Sequence, residues 1–174
     1  MISLGIQQGT SALIGNCIGA NNVPLAKRFY HLIAKITTLV VIMLSLLTLI
    51  ERPIILYLTS SEKVQERANV LFIIVAVMKL YDSFKCFMQG AICAMGLQKD
   101  VYYWVIACNW IIGVPLGSRL GNLQGIGVTG LFTGICTGFF LQTMAYFLIL
   151  VKQDWQQVAD NTAKRIENEQ KRLG

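Results

Sequence analysis

Long apolar runs separated by short polar gaps make up most of the chain, and their lengths predict about five membrane-spanning helices. The first, Met1–Ala20, is a marginal span, interrupted by Gly5, Gln7, Gln8 and Gly9, and without a basic start it does not read as a cleavable signal. The second, Phe29–Ile50, is almost wholly apolar after Lys35. About 20 residues cross the ~30 Å hydrocarbon layer, so it is long enough, and Glu51, Arg52 and Pro53 are expected to stop it. Thr59-Ser60-Ser61-Glu62 then fits a capping box, in which hydroxyl and carboxylate satisfy free amides reciprocally. It opens a third helix that reaches about Met95 and turns apolar at Val70. A fourth spans Val101–Leu116 with Pro115 near its end, and a fifth spans Gly127–Val151. Lipid admits only helices and closed barrels, and these runs lack the two-residue alternation of strands. The expected fold class is therefore all-α, a polytopic membrane helix bundle over residues 1–151 with a polar tail over 152–174.

Composition removes the main competitors. Hydrophobic residues are 55% and charged residues 14%, against ~25% charged in an average soluble domain, so too few charges remain to coat a water-facing surface. The net charge of +6 suggests a nucleic-acid partner until its position is considered: the basic residues flank apolar spans, and no nucleic acid is expected. Lys27, Arg28, Lys99, Lys152, Lys164, Arg165, Lys171 and Arg172 fall on one side of the expected topology, and Arg52, Lys63, Arg67 and Arg119 on the other. That bias predicts a cytoplasmic C-terminus. After Trp155 the tail alternates in charge like a solvated helix at the membrane surface. The odd number of cysteines, spread through apolar stretches, suits small buried hydrophobes better than disulfides or a zinc site.

One cluster breaks the apolar pattern. Lys79, Asp82, Lys85 and Gln89 recur at helical spacing, and Asp82 lies ~18 Å along the third helix from Val70, close to the bilayer midplane. An ionisable group at that depth costs ~2.5–3.5 kcal/mol on insertion scales, so the stripe must face a bundle interior or an aqueous cavity. It reads as a cation or proton site with Lys79, Lys85 and Gln89 lining the pathway, or as an internal ion pair that only lowers the insertion cost. Two ammonium groups beside one carboxylate favour the ionised acid, which opposes proton exchange. His31 reads as interfacial, and no paired catalytic groups point to an enzyme. Glycines at four-residue spacing, Gly15 and Gly19 and then Gly130, Gly134 and Gly138, are expected to let helices pack closely. They also raise a competing reading, a non-transporting membrane protein that assembles with partners through those faces.

Several segments carry a family resemblance. Ser11–Asn21 resembles the small-residue stretch of multidrug and toxic compound extrusion (MATE) transporters, and Asp82 with Gly90, Gly96, Gln98 and Lys99 resembles that family's Asp-x7-Gly-x5-Gly-x-Gln segment. Trp110–Gly117 is similar to its Tyr-x2-Gly-Ile-Pro-Leu-Gly helix, and Gly130, Gly134, Gly138, Gln142-Thr143 and Asp154-Trp155 resemble its last helix and tail in eukaryotic members. The resemblance implies the C-terminal lobe, helices eight to twelve of twelve, without its first helix. It implies a secondary antiporter that moves an organic, often cationic, substrate across a lipid bilayer against protons or sodium ions, with no resident cofactor. Asp82 then matches the acidic position that binds the coupling ion, whereas Lys85 stands where the family often has glutamine, and Lys79 also departs from its pattern. The resemblance also implies a need for the N-terminal lobe, because alternating access rocks one lobe against the other. The plasma and vacuolar membranes both remain open as its location.

Overall fold

The computed structural model describes residues 1–57, 62–123 and 127–173, and every regular element in them is helical. In chain order these are α1 (Ile2–Gly19), α2 (Val23–Tyr57), α3 (Glu62–Ala94), α4 (Gln98–Val105), a π-helical stretch (Ile106–Gly113), α5 (Val114–Leu123), α6 (Val128–Lys152) and α7 (Trp155–Leu173). By length and composition three helical stretches are apolar enough to cross a membrane: Val23–Thr48, Gln98–Asn122 and Val128–Lys152. Two further expected spans, α1 and α3, fall outside that measure, and α3 carries Lys79, Asp82 and Lys85 in its apolar half. Leu39, Met43, Trp110 and Ile111 are all more than 60% exposed on the long helices. Apolar surface on this scale is a face made for lipid rather than water.

The helix boundaries follow backbone chemistry. Asn21, in the left-handed region at φ 53°, ends α1 through bonds from its own amide to Ile18 O and from Asn22 N to Cys17 O. Gly96, at φ 77°, ends α3 in the same way, with Gly96 N to Cys93 O and Leu97 N to Ile92 O. Both are Schellman closures, which satisfy carbonyls that the helix end leaves free. The expected stop at Glu51-Arg52-Pro53 does not occur, because α2 continues to Tyr57. A proline removes one backbone donor, and a membrane helix tolerates that loss. The fourth span likewise starts at Gln98, before Val101, and continues through Pro115 and Leu116 to Leu123. Just before Pro115 the backbone widens into the π stretch, with Val114 N bonded five residues back to Asn109 O. The expected capping box at Thr59-Ser60-Ser61-Glu62 lies largely outside the described residues.

Two packing systems hold the bundle. At the end where α1, α3 and α6 terminate, Ile14, Ile18, Ala91, Ile92, Tyr146 and Leu150 form a buried core, and Val158 and Ala159 of α7 join it. The tail is therefore docked along its first turns and does not float as a fully solvated helix. Trp155 meets Tyr30 edge-on at 5.5 Å, and Tyr30 lies against Phe87 at 5.0 Å. Trp155→Ala is expected to speed proteolytic release of α7 several-fold, since the ring anchors the helix. Trp110→Ala, at a bare ring, serves as the unaffected control; equal release rates in the two variants would contradict the docked tail.

The second system is an antiparallel glycine seam. Gly130 faces Gly121, Gly134 faces Gly117 and Gly113, and Gly138 faces the π-stretch backbone at Cys108 and Asn109. A Cβ on Gly130 would come within 2.6 Å of Gly121 N, so the two backbones are in direct contact. Gly19 meets nothing within 4 Å and Gly15 reaches only Ala94 Cβ at 3.9 Å, so neither makes a close helix contact. Gly90 does so instead, against Gln7 O and Thr10 of α1. The seam offered to a partner by the competing reading is thus filled by the chain's own α5 and π stretch.

Candidate functional site

Five helical segments line a cavity of ≈ 570 Å³, α4 through Val105 at its end. α1 supplies Ser3 and Gln7, α3 supplies Asp82, Lys85, Cys86 and Gln89, the π stretch supplies Asn109, and α6 supplies Gln142. Gly90 permits this geometry, because its missing side chain lets α1 lie against α3 one turn beyond Lys85 and Cys86. Asp82 is equidistant from Val70 and Ala94, twelve residues from each along α3.

The expected charged stripe divides in two. Lys85 Nζ pairs with Asp82 Oδ1 at 2.9 Å and sits 3.9 Å from the centroid of the Phe139 ring. Lys79 instead donates to Thr48 Oγ1 of α2 at 2.6 Å, and it does not line the cavity. The expectation that both lysines serve Asp82 is corrected accordingly. Lys79 and Lys85 are six residues apart, which on a straight helix sets them about 120° apart on either side of Asp82, and side chains lean toward the helix N-terminus, which carries Lys79 away from Asp82 toward α2. The Lys85 side chain is 13% exposed and that of Asp82 is 35% exposed, so the carboxylate is the more accessible partner. Gln89 lines the cavity as expected of the stripe.

An amide relay also lines the cavity, and the sequence reading did not assign it a role. Asn109 Nδ2 donates to Gln142 Oε1 at 2.6 Å, and Gln142 Nε2 donates to the Tyr146 hydroxyl at 2.6 Å. The Tyr146 hydroxyl donates onward to Val101 O at 3.4 Å, and Asn109 Nδ2 also reaches Val105 O at 3.2 Å. Gln142 is 1% exposed, so these bonds replace water that the site excludes. The signal that could have found this relay was an amide side chain alone in each of two apolar runs, Asn109 and Gln142. The π stretch positions Asn109, and Gly138 makes room for it: a Cβ there would stand 3.0 Å from Asn109 Oδ1.

Comparison with known proteins meets this geometry at family level. The MatE family profile matches residues 1–118, which include Asp82, Lys85 and the π stretch. The chain belongs to the MatE family. The MatE chain is 31% identical over 168 residues to Protein DETOXIFICATION 33 of Arabidopsis thaliana, covering 96% of this chain and 35% of that protein. It is 32% identical over 168 residues to Protein DETOXIFICATION 20 of the same organism, covering 95% and 34%. It therefore spans about a third of the length of these relatives. Its fold matches the crystal structure of the eukaryotic MATE transporter AtDTX14 with a TM-score of 0.85 at 23% identity, over 95% of this chain and 37% of that one. Together with the lipid-facing helices, family membership makes this MatE chain an integral membrane protein.

Proposed function

We propose that this chain is the ion-coupling part of a MATE-type secondary transporter that antiports an organic compound against protons or sodium ions. It would correspond to the C-terminal lobe without its first helix, working with an N-terminal lobe. The observation that carries the reading is Asp82, midway between Val70 and Ala94 on α3, partly exposed on a cavity wall and paired with a single lysine. A carboxylate at this depth facing an aqueous space is the usual mark of an ion pathway. Because Lys85 holds the carboxylate, an incoming proton or sodium ion must displace the ammonium. Ion binding and opening of the pair then become one event, and this gives the ion a differential affinity for two arrangements of the site. Without such a difference no coupling arises. The clustering of Lys27, Arg28, Lys99 and Lys152 at one end of the bundle supports a cytoplasmic C-terminus.

The test is a chimera in which this chain replaces the matching third of DETOXIFICATION 33, assayed for efflux of fluorescent organic compounds from vesicles under imposed proton or sodium gradients. Efflux is expected for the chimera, and Asp82→Asn is expected to lower its initial rate at least ~10-fold, about 1.4 kcal/mol of coupling free energy or more. Equal rates in both proteins, at equal membrane levels, would remove Asp82 from the mechanism. The 174-residue chain alone is expected to move nothing, and efflux from it alone would show that the other lobe is dispensable.

A further inference from the structure

The charge balance of the cavity bears on the substrate. Asp82 and Lys85 are the charged side chains among its lining residues, and they neutralise each other at 2.9 Å. Lys85 is held in place from two sides, by the carboxylate and by the face of Phe139. With no coupling ion bound, the ammonium therefore occupies the position over the carboxylate where an organic cation would bind. Apart from Met1 at the start of α1, what remains on the wall is hydrogen-bonding capacity without charged side chains. Among the described residues Gln7 and Gln89 make no side-chain hydrogen bond, so their amides face the cavity with donors and acceptors unspent. Ser3 lies beside them, its hydroxyl 3.3 Å from that of Ser83.

We infer that Lys85 sets the substrate class: the wall this chain contributes takes an uncharged, hydrogen-bonding organic molecule and rejects organic cations. This rests on the transport reading above and narrows it. A permanent cation approaching Asp82 meets a like charge already seated there, whereas a hydroxylated neutral molecule meets amides that lose nothing by exchanging water for it. The preference is a property of one side chain, because removing the ammonium leaves a lone carboxylate in a partly desolvated site, which is a cation site.

The experiment compares two probes of similar size, ethidium as the permanent cation and 4-methylumbelliferyl glucoside as the uncharged one. Binding is measured to the 174-residue chain in nanodiscs, with empty nanodiscs subtracted, and efflux is measured in the chimera. The wild-type chain is expected to bind the glucoside at least 10-fold more tightly than ethidium. Lys85→Gln is expected to reverse that order, and Lys85→Gln combined with Asp82→Asn to restore it, since the pair of changes returns the wall to neutrality. Ethidium binding as tight as the glucoside in the wild type, or an unchanged order in Lys85→Gln, would overturn the inference. The wild-type order needs no variant, so a poorly folded Lys85→Gln protein leaves the test decisive. Binding with the expected order but no efflux of either probe in the chimera would overturn the transport reading and leave the cavity assignment standing. If neither probe binds, the cavity is not a ligand site and the inference falls.

Discussion

Gly134→Leu is expected to lower the stability of the bundle by about 3 kcal/mol or more, the upper end of what overpacking costs. The reason is geometric. A Cβ at this position collides with the backbone of Gly117 and stands 2.6 Å from Gly113 O, and backbone atoms cannot rotate aside as a flexible side chain can. The two helices must separate, and the seam from Gly121–Gly130 to Gly138 opens with them. For a chain of this size that corresponds to a fall in melting temperature of roughly 6–12 °C. Thermal unfolding in detergent reads it directly. Gly19→Leu provides the matched control, because nothing lies within 4 Å of Gly19, and its melting temperature is expected to stay within about 2 °C of the parent. If the two leucine variants melt together, the helices do not meet through the seam. Failure of folded Gly134→Leu to accumulate in membranes would be the stronger form of the expected result.

The second large effect is expected at Gln142. Gln142→Leu keeps the size of the side chain but removes the acceptor used by Asn109 and the donor to Tyr146, both at 2.6 Å. Each stranded group costs ~1–3 kcal/mol where water cannot replace the lost bond, so a total near 3 kcal/mol is expected. Tyr146 is fully buried and keeps only its longer bond to Val101 O, whereas Asn109 keeps its bond to Val105 O. Tyr146 is therefore the more exposed to the loss. A double-mutant cycle with Tyr146→Phe isolates that share: the double variant is expected to be at least ~1 kcal/mol more stable than the sum of the single losses predicts. Additive losses would mean that the relay does not act as a unit. Because Asn109 lines the cavity, the same change is expected to weaken probe binding there, which links the stability of the relay to the shape of the site.

The helical, lipid-embedded character of the chain was legible without coordinates, because a run of apolar residues long enough to cross the hydrocarbon layer has few other physical options. The ends of α1 and α3 were also locally encoded, in Asn21 and Gly96, whose backbones accept positive φ at low cost. The place of Asp82 midway between Val70 and Ala94 followed from counting residues, and its partner Lys85 from helical spacing. Other features depended on contacts between segments distant in sequence. Lys79 had two possible partners, Asp82 on its own helix and Thr48 on α2, thirty-one residues away, and spacing along α3 cannot decide between them. The glycines of α6 announced a close contact but not its partner. Nothing local sets Gly134 against Gly117 rather than against another chain, and the fold closes the seam internally. Pro115 was read only as lying near the end of its span, and widening into a π stretch that turns Asn109 toward Gln142 depends on the helix packed against it. The tail read as solvated because its polar residues outnumber its apolar ones, and only the core waiting at the ends of α1 and α2 buries Val158 and Ala159. Local composition and period determine which segments are helical and which of them are apolar enough to enter the membrane. Which faces meet, and therefore which charge answers Asp82, is decided by packing energies summed over the assembled helices.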